Sequence, residues 1–185
     1  FNKTVMNLNL SNKNLEIRKK NLNQFSKNGF PNKRIEDWKF SDLNQIISSN
    51  IKDLNFYNIS LLEKVEENVF VNKFEHNKIT FVNGVISNID LSYEDETKVS
   101  LSKDLDFNED NNEANPLISL NNAFVSGYIG ITVKESYSFK YPLIIYNITN
   151  NGLKSTALNV RTDIILEKNS SLKLITLFDD SSENN

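Results

Sequence analysis

Few residues of this 185-residue chain have the type and spacing to do chemistry. The one histidine, His76, stands in Lys73-Phe74-Glu75-His76-Asn77-Lys78. As a metal ligand it would have only Glu75 and distant carboxylates for company, so it is expected to be an exposed loop residue. With one His and no Cys, nucleophile–base pairs of the Ser–His and Cys–His kinds are all but excluded. The acidic run Asp104, Asp106, Glu109, Asp110 and Glu113 lacks the Asp-x-Asp-x-Asp-Gly order and closing Glu of a calcium loop, and reads as solvated. Glu94, Asp95 and Glu96 read the same way. Nothing singles out a carboxylate pair of the kind glycoside hydrolysis needs. Gly127 and Gly130 flank a strand-like run without a following Lys-Ser/Thr, so they make no phosphate loop. The single Trp, Trp38, stands among Glu36, Asp37 and Lys39. It is expected as an anchor in a core or between elements, with its charged neighbours making local polar contacts.

Composition narrows the classes further. Hydrophobic residues make up 38% and aromatics 10%, enough for a core. About one residue in six is Asn, spread among Ile, Leu, Phe and Val rather than gathered in a polar block, which favours a folded chain over a low-complexity tract. The formal net charge is -3, without the basic stripe that nucleic-acid binding requires. The nearest candidate, Lys13, Arg18, Lys19, Lys20 and Lys27, is expected to be the solvated face of a helix. Without cysteine the chain forms no disulfide and offers no thiolate to an iron–sulfur cluster. No apolar run approaches a membrane span, and no signal-peptide core opens the sequence, so a cytoplasmic protein is expected. The first residue is Phe1, and Asp179 to Asn185 follow directly on a strand-like run. Both ends read as cut, as in a piece of a longer chain.

The elements that must position these residues can be read from periodicity. Leu15, Leu22 and Phe25 share one face of a helix expected over Asn14 to Lys27, with Ser11 as N-cap and Gly29 and Pro31 as its stop. Phe30 is placed to fold back onto that face. A second helix is expected over Ser60 to Asn68, with Leu61, Leu62, Val65 and Val69 as its buried stripe. Lys78 to Ile86 reads as a β-hairpin around Asn83-Gly84. Residues 92 to 115 read as an irregular surface loop. Pro116 opens a helical turn carrying Leu117, Leu120, Ala123 and Phe124 on one face, which Gly127 ends.

Strand-like runs follow at Ile129 to Val133, Leu143 to Ile148, Val160 to Leu166 and Leu172 to Phe178, with polar turns and no helical pattern between them. Ile131 and Ile164 stand 33 residues apart, and Ile144 and Ile175 stand 31 apart. A two-sheet sandwich would fit these runs. A period near 30 with two strands per coil also suits a β-solenoid whose stacked coils share a core.

Several motifs in a fixed order resemble a known family. Gly29-Phe30-Pro31, Arg34, Glu36-Asp37-Trp38-Lys39-Phe40 and Leu43 are similar to the Gly-(Leu/Phe)-Pro turn and Glu-Asp-Trp-Lys element of the SufD branch of the SufB/SufD family. Phe81-Val82-Asn83-Gly84 resembles that family's strand–turn ahead of its β-domain. Leu120-Asn121-Asn122-Ala123-Phe124, Gly127, Ile129 to Val133 and Pro142 to Ile145 resemble its Leu-Asn-x-Ala-Phe segment, strand and Pro-led next strand. Arg161, Ile164 to Glu167 and Leu172 continue in register. The likeness runs from about Leu15 to Phe178.

What the resemblance implies is an α+β, mainly β fold. A small helical N-terminal domain (residues 1–77) would be followed by a hairpin and acidic connection (78–115). The first coils of a right-handed parallel β-helix, truncated, would complete it (116–185). It implies a non-catalytic scaffold subunit of the SufBCD complex of iron–sulfur cluster assembly, paired with SufB through the β-helix and with the ATPase SufC through a C-terminal helical domain. No residue here corresponds to that domain. Glu36, Asp37, Trp38 and Lys39 would be a structural family motif, with no catalytic, metal or cofactor residue in the chain. Cluster and ATP would belong to the complex, and neither nucleic acid nor membrane would be a partner. The rival reading is a β-solenoid carbohydrate-binding module or enzyme. It would need an exposed aromatic row or a carboxylate cluster on one solenoid face; for the row, Tyr128, Tyr137, Phe139, Tyr141 and Tyr146 are the candidates.

Overall fold

A computed structural model of the chain describes residues 10–50, 55–56, 71–103, 115–149 and 156–180. The helix expected over Ser60 to Asn68 lies outside the described residues, as do Asp104, Asp106, Glu109, Asp110 and Glu113. The fold is α+β, with more strand than helix among the described residues. It divides into two compact units, one taking residues 1–58, 106–126 and 154–159, the other 59–105, 127–153 and 160–185.

The first unit is helical. Helix α1 spans Asn12–Asn28. Ser11 accepts the Asn14 N–H at 3.2 Å, satisfying one of the donors that every helix start leaves open. At the other end Gly29 takes φ 67, a left-handed angle that only glycine adopts without strain, and its N–H donates to the Phe25 carbonyl at 2.7 Å. The next residue, Phe30, folds back as expected, its ring edge-on to Phe25 with centroids 5.0 Å apart. Helix α2 (Leu43–Asn50) begins at Asp42, whose carboxylate accepts the Gln45 N–H at 3.0 Å.

Helix α3 (Pro116–Phe124) has Pro in its first turn, and the Asn115 side chain caps it by accepting the Leu117 N–H at 3.0 Å. Leu120, Ala123 and Phe124 pack with Leu22, Phe25, Phe30 and Phe56, and Phe56 stacks on Phe124 at 4.2 Å. Thus α3, grouped in sequence with the strands that follow, packs with α1. The short strands β1 (Asn55–Phe56) and β7 (Thr156–Ala157) pair in parallel in this unit. Gly127 does not end α3, which stops at Phe124.

The second unit holds two sheets. Strands β2 (Asn77–Val82) and β3 (Val85–Asp90) form the expected hairpin. Asn83 and Gly84, at φ 49 and 79, are both left-handed, which matches the twist of a two-residue hairpin. The four-stranded sheet runs β3-β2-β6-β9, with β6 (Leu143–Thr149) and β9 (Leu174–Asp180) parallel to β2. The three-stranded sheet runs β4-β5-β8, with β4 (Val99–Ser102) antiparallel to β5 (Gly127–Val133) and β8 (Val160–Leu166) parallel to it. The expected surface loop over 92–115 therefore contains a strand.

Alternation decides which residues meet. On β5 every second residue is buried, and Ile129, Ile131 and Val133 join Val99 from β4, Ile79 and Phe81 from β2, and Leu143 and Ile145 from β6 in one core. Burying each of these large side chains contributes roughly 1.5–3 kcal/mol. The 33- and 31-residue spacings read from the sequence are the observed registers, Ile131 beside Ile164 and Ile144 beside Ile175. The turns repeat with the strands. Ser136 and Asn169 are both left-handed (φ 60 and 57), and the Ser136 N–H donates to the Lys168 carbonyl at 2.9 Å. Ser171 Oγ donates to Ser138 Oγ at 2.8 Å.

Candidate interaction surface

Each sheet of the strand-rich unit ends differently on its two sides. On one side the parallel repeat is closed off by an antiparallel strand, β3 on β2 and β4 on β5, that is itself an edge among the described residues; on the other, β8 and β9 are the last strands among the described residues. An edge strand presents a row of N–H and C=O groups without ladder partners, a template for another strand. Register shows which side chains accompany that row. Leu174 and Phe178 lie beside Leu143 and Asn147, and Leu166 lies beside Val133, so all three continue the core face. Their neighbours Leu143 and Val133 are fully buried, whereas Leu166, Leu174 and Phe178 are 48%, 45% and 82% exposed. On the opposite faces Ile165 and Ile175 are also exposed. The open side is therefore apolar, and no further ladder strand follows it among the described residues, a combination that marks interaction sites on proteins.

The Glu36–Lys39 motif lies in the helical unit. Glu36–Trp38 is a single 3₁₀ turn, closed by the Trp38 N–H donating to the Ile35 carbonyl at 2.8 Å. Lys39 Nζ donates to Glu36 Oε1 at 2.7 Å, the local polar contact expected of this segment. Trp38 is half-buried, and Phe40 beside it is 89% exposed.

Two titratable residues sit where sequence reading did not place them, and so does one cation. His76 is buried, not an exposed loop residue. Its Nδ1 bonds the Phe74 carbonyl at 2.9 Å and its Nε2 the Tyr146 hydroxyl at 2.8 Å, so both ring nitrogens are taken. Glu94 is buried, not solvated, although Asp95 and Glu96 are exposed as expected. Its carboxylate accepts from Asn77 Nδ2 and the Tyr137 hydroxyl, both at 2.8 Å, and from the Lys140 and Tyr141 N–H groups. Burial pushes this carboxyl up, but those four donors outweigh it and hold it below the usual range.

Arg18, expected on a solvated face, is 3% exposed, while Lys13, Lys19, Lys20 and Lys27 do face solvent. Its guanidinium donates to the Ala123 and Val125 carbonyls at the C-terminal end of α3, and to Asn14 Oδ1. A cation there complements the helix dipole. Burial lowers its pKa to about 10, which leaves it charged at neutral pH.

A signal for Arg18 was present: it falls three residues after Leu15 and four before Leu22, on the apolar face itself. None existed for Glu94, whose partners lie 17 to 47 positions away.

The chain matches no protein-family model and no curated protein. What the residues can do must be read from geometry. Among the described residues, no group of three or more His, Asp or Glu side chains is placed to hold a metal ion. With no cysteine in the sequence and both nitrogens of the one histidine engaged, the described residues do not fit an iron–sulfur cluster. The aromatic candidates for a sugar-binding row are not exposed: Tyr146 is buried, and Tyr128, Tyr137, Phe139 and Tyr141 are half-buried. No helix among the described residues is long and apolar enough to cross a membrane.

Proposed function

We propose that the chain is a non-catalytic scaffold subunit of iron–sulfur cluster assembly of the SufD type, working in the cytoplasm, and that its two sheets are the first coils of a right-handed parallel β-helix. The observation that carries this reading is the parallel pairing of strands 31 to 33 residues apart in both sheets, with an apolar side beyond which no strand follows among the described residues. Stacked coils need a neighbour on each face, so an open coil invites further strands or a partner's strands. The ordered motifs from Gly29-Phe30-Pro31 through Glu36-Asp37-Trp38-Lys39 to Leu120-Asn121-Asn122-Ala123-Phe124 supply the family. In this reading a SufB-type subunit docks along the strands. SufC reaches the complex through the family's C-terminal helical domain. The cluster is cargo whose ligands come from other subunits.

The test is assembly. Tagged chain is mixed with SufB-type and SufC-type proteins and followed by size-exclusion chromatography with light scattering. Co-elution with the SufB-type subunit is expected, and Leu166→Lys with Phe178→Lys should abolish it without altering the circular dichroism spectrum. Wild-type chain that is folded yet elutes alone, or a complex indifferent to both lysines, overturns the reading.

A further inference from the structure

Three of the five glycines directly follow an asparagine: Gly29, Gly84 and Gly152. In an Asn-Gly pair the asparagine side chain and the next backbone nitrogen meet with little obstruction, because glycine has no side chain in the way. The deprotonated glycine nitrogen attacks the asparagine Cγ, the side-chain nitrogen leaves as ammonia, and a five-membered succinimide closes. Water then opens either carbonyl of that ring, at Cγ to give aspartate or at the backbone carbon to give isoaspartate. Water is the one co-reactant, and nothing is oxidised or reduced. In a folded chain the rate follows how readily the backbone at that pair leaves its place to form the ring.

Two of the pairs can be compared, since Asn151-Gly152 lies outside the described residues. Asn83-Gly84 is the turn of the β2–β3 hairpin, and both residues are buried. The Asn83 N–H donates to the Ile148 carbonyl of β6 at 2.9 Å, and the Gly84 carbonyl packs against Gly127 of β5. Ring closure there requires the hairpin to leave two neighbouring strands. Asn28-Gly29 is the last residue of α1 and its cap. Asn28 is exposed, and a Cβ on Gly29 would meet nothing within 4 Å, so the glycine has open space beside it. Its nitrogen is held by the bond to the Phe25 carbonyl at 2.7 Å, under the turn that lays Phe30 edge-on to Phe25. Helix ends fray, and this bond belongs to the terminal turn.

We propose that Asn28 is a modification site, at which the folded chain converts asparagine to isoaspartate and aspartate through attack by the Gly29 nitrogen, while the strands around Asn83 protect that residue from the same reaction. The product alters the cap. A carboxylate arrives at the C-terminal end of α1, where the helix dipole disfavours negative charge. Isoaspartate also adds a carbon to the main chain just before Gly29, which displaces its N–H from the Phe25 carbonyl. The fold-back of Phe30 then loosens as the protein ages.

The test is incubation of the folded full chain in mildly alkaline buffer, with peptide mass spectrometry separating asparagine, aspartate and isoaspartate at both positions. Asn28 should convert at least about tenfold faster than Asn83. Isoaspartate should appear beside aspartate, as the opening of a succinimide requires. In urea, with the chain unfolded, the two positions should react at comparable rates. Phe30→Ala, which removes the ring lying on Phe25, should speed Asn28 several-fold further and leave Asn83 slow. Equal rates at the two positions in the folded chain, an Asn28 that survives while its unfolded counterpart reacts, or aspartate without isoaspartate each overturns the proposal.

Discussion

The two sides of the strand-rich unit are built from the same kind of strand and finished differently. On the closed side β3 and β4 turn antiparallel, pair with β2 and β5 and end each sheet. On the open side β8 and β9 repeat the parallel register of β5 and β6 residue for residue, and nothing among the described residues follows. A reversal of direction ends the parallel stack in both sheets: β3 returns on β2 through a two-residue hairpin, and β4 lies antiparallel beside β5. The alternation that buries Ile129, Ile131 and Val133 therefore leaves Leu166, Leu174 and Phe178 exposed one register step further on. Strand patterning alone does not decide burial; a neighbour does.

The sharpest way to break this comparison is to truncate one residue on each side. Ile131 is fully buried between β4 and β8, and Ile131→Ala should cost roughly 2–5 kcal/mol in urea unfolding, since the core cannot close around the gap. Phe178→Ala should cost under about 0.5 kcal/mol, as for surface positions generally. A Phe178 truncation as costly as that at Ile131 would mean that the open side is covered in solution.

Glycines test the closed side next. A Cβ on Gly127 would run into the Gly84 carbonyl oxygen and approach the Phe81 ring at 3.0 Å, and a hairpin backbone has nowhere to move. Gly127→Ala should destabilise by roughly 1–3 kcal/mol. At Gly130 the nearest atom is the Tyr128 hydroxyl, at 2.9 Å, the far end of a side chain rather than backbone. Gly130→Ala should cost under about 1 kcal/mol. Equal costs would show that the closed side is not held by close packing of β5 on the hairpin.

Glu94 ties the strands together from the side. Four sets of donors converge on its carboxylate, two of them backbone N–H groups of the connection between β5 and β6. Gln in its place would turn an amide NH₂ toward those donors, and Glu94→Gln should lose roughly 1–3 kcal/mol at neutral pH. The folded carboxyl titrates below its unfolded value, so its contribution is complete above the unfolded range, near pH ~4. It disappears as pH falls through the folded value. Wild-type stability should drop on that acid limb, and the Glu94→Gln variant should follow a shallower one. Parallel acid limbs would mean that Asp90 and Asp95, which side-chain and backbone bonds from Ser92 and Thr97 also hold low, carry the dependence instead.

What was legible in the sequence is what local chemistry determines. Ser11 and Gly29 bracket α1, Asn83-Gly84 turns the hairpin, and apolar alternation sets the strands. Even the long-range register of Ile131 with Ile164 was readable, because a repeated spacing is local information written twice. Arg18, His76 and Glu94 were misread for a common reason. A polar side chain is read as solvated unless its partners are known, and beside the near contacts of Arg18 with Asn14 and His76 with Phe74 these three find partners 105 to 107, 70 and 17 to 47 positions away. Strand β4 was hidden similarly: Val99-Ser100-Leu101-Ser102 does alternate, but it stands next to an acidic run whose composition dominated the reading.

The smallest effect expected is on the open strand β8 itself. Arg161 Nε donates to Asp163 Oδ1 at 2.9 Å, two residues apart on one strand face, and both side chains are about 30% exposed (30% and 29%). A pair in that setting is screened by water and by salt, and Asp163→Asn should change stability by no more than about 0.5 kcal/mol. The measurement still has force, because it asks whether the outer face of β8 is as unfinished as its edge. An effect above about 1 kcal/mol that survives high salt would place the pair in a desolvated environment, which a water-exposed strand face does not provide. The open side would then be covered by strand pairing of another copy or partner. The small variant would thus reverse the contrast between the two sides that the large one was designed to establish.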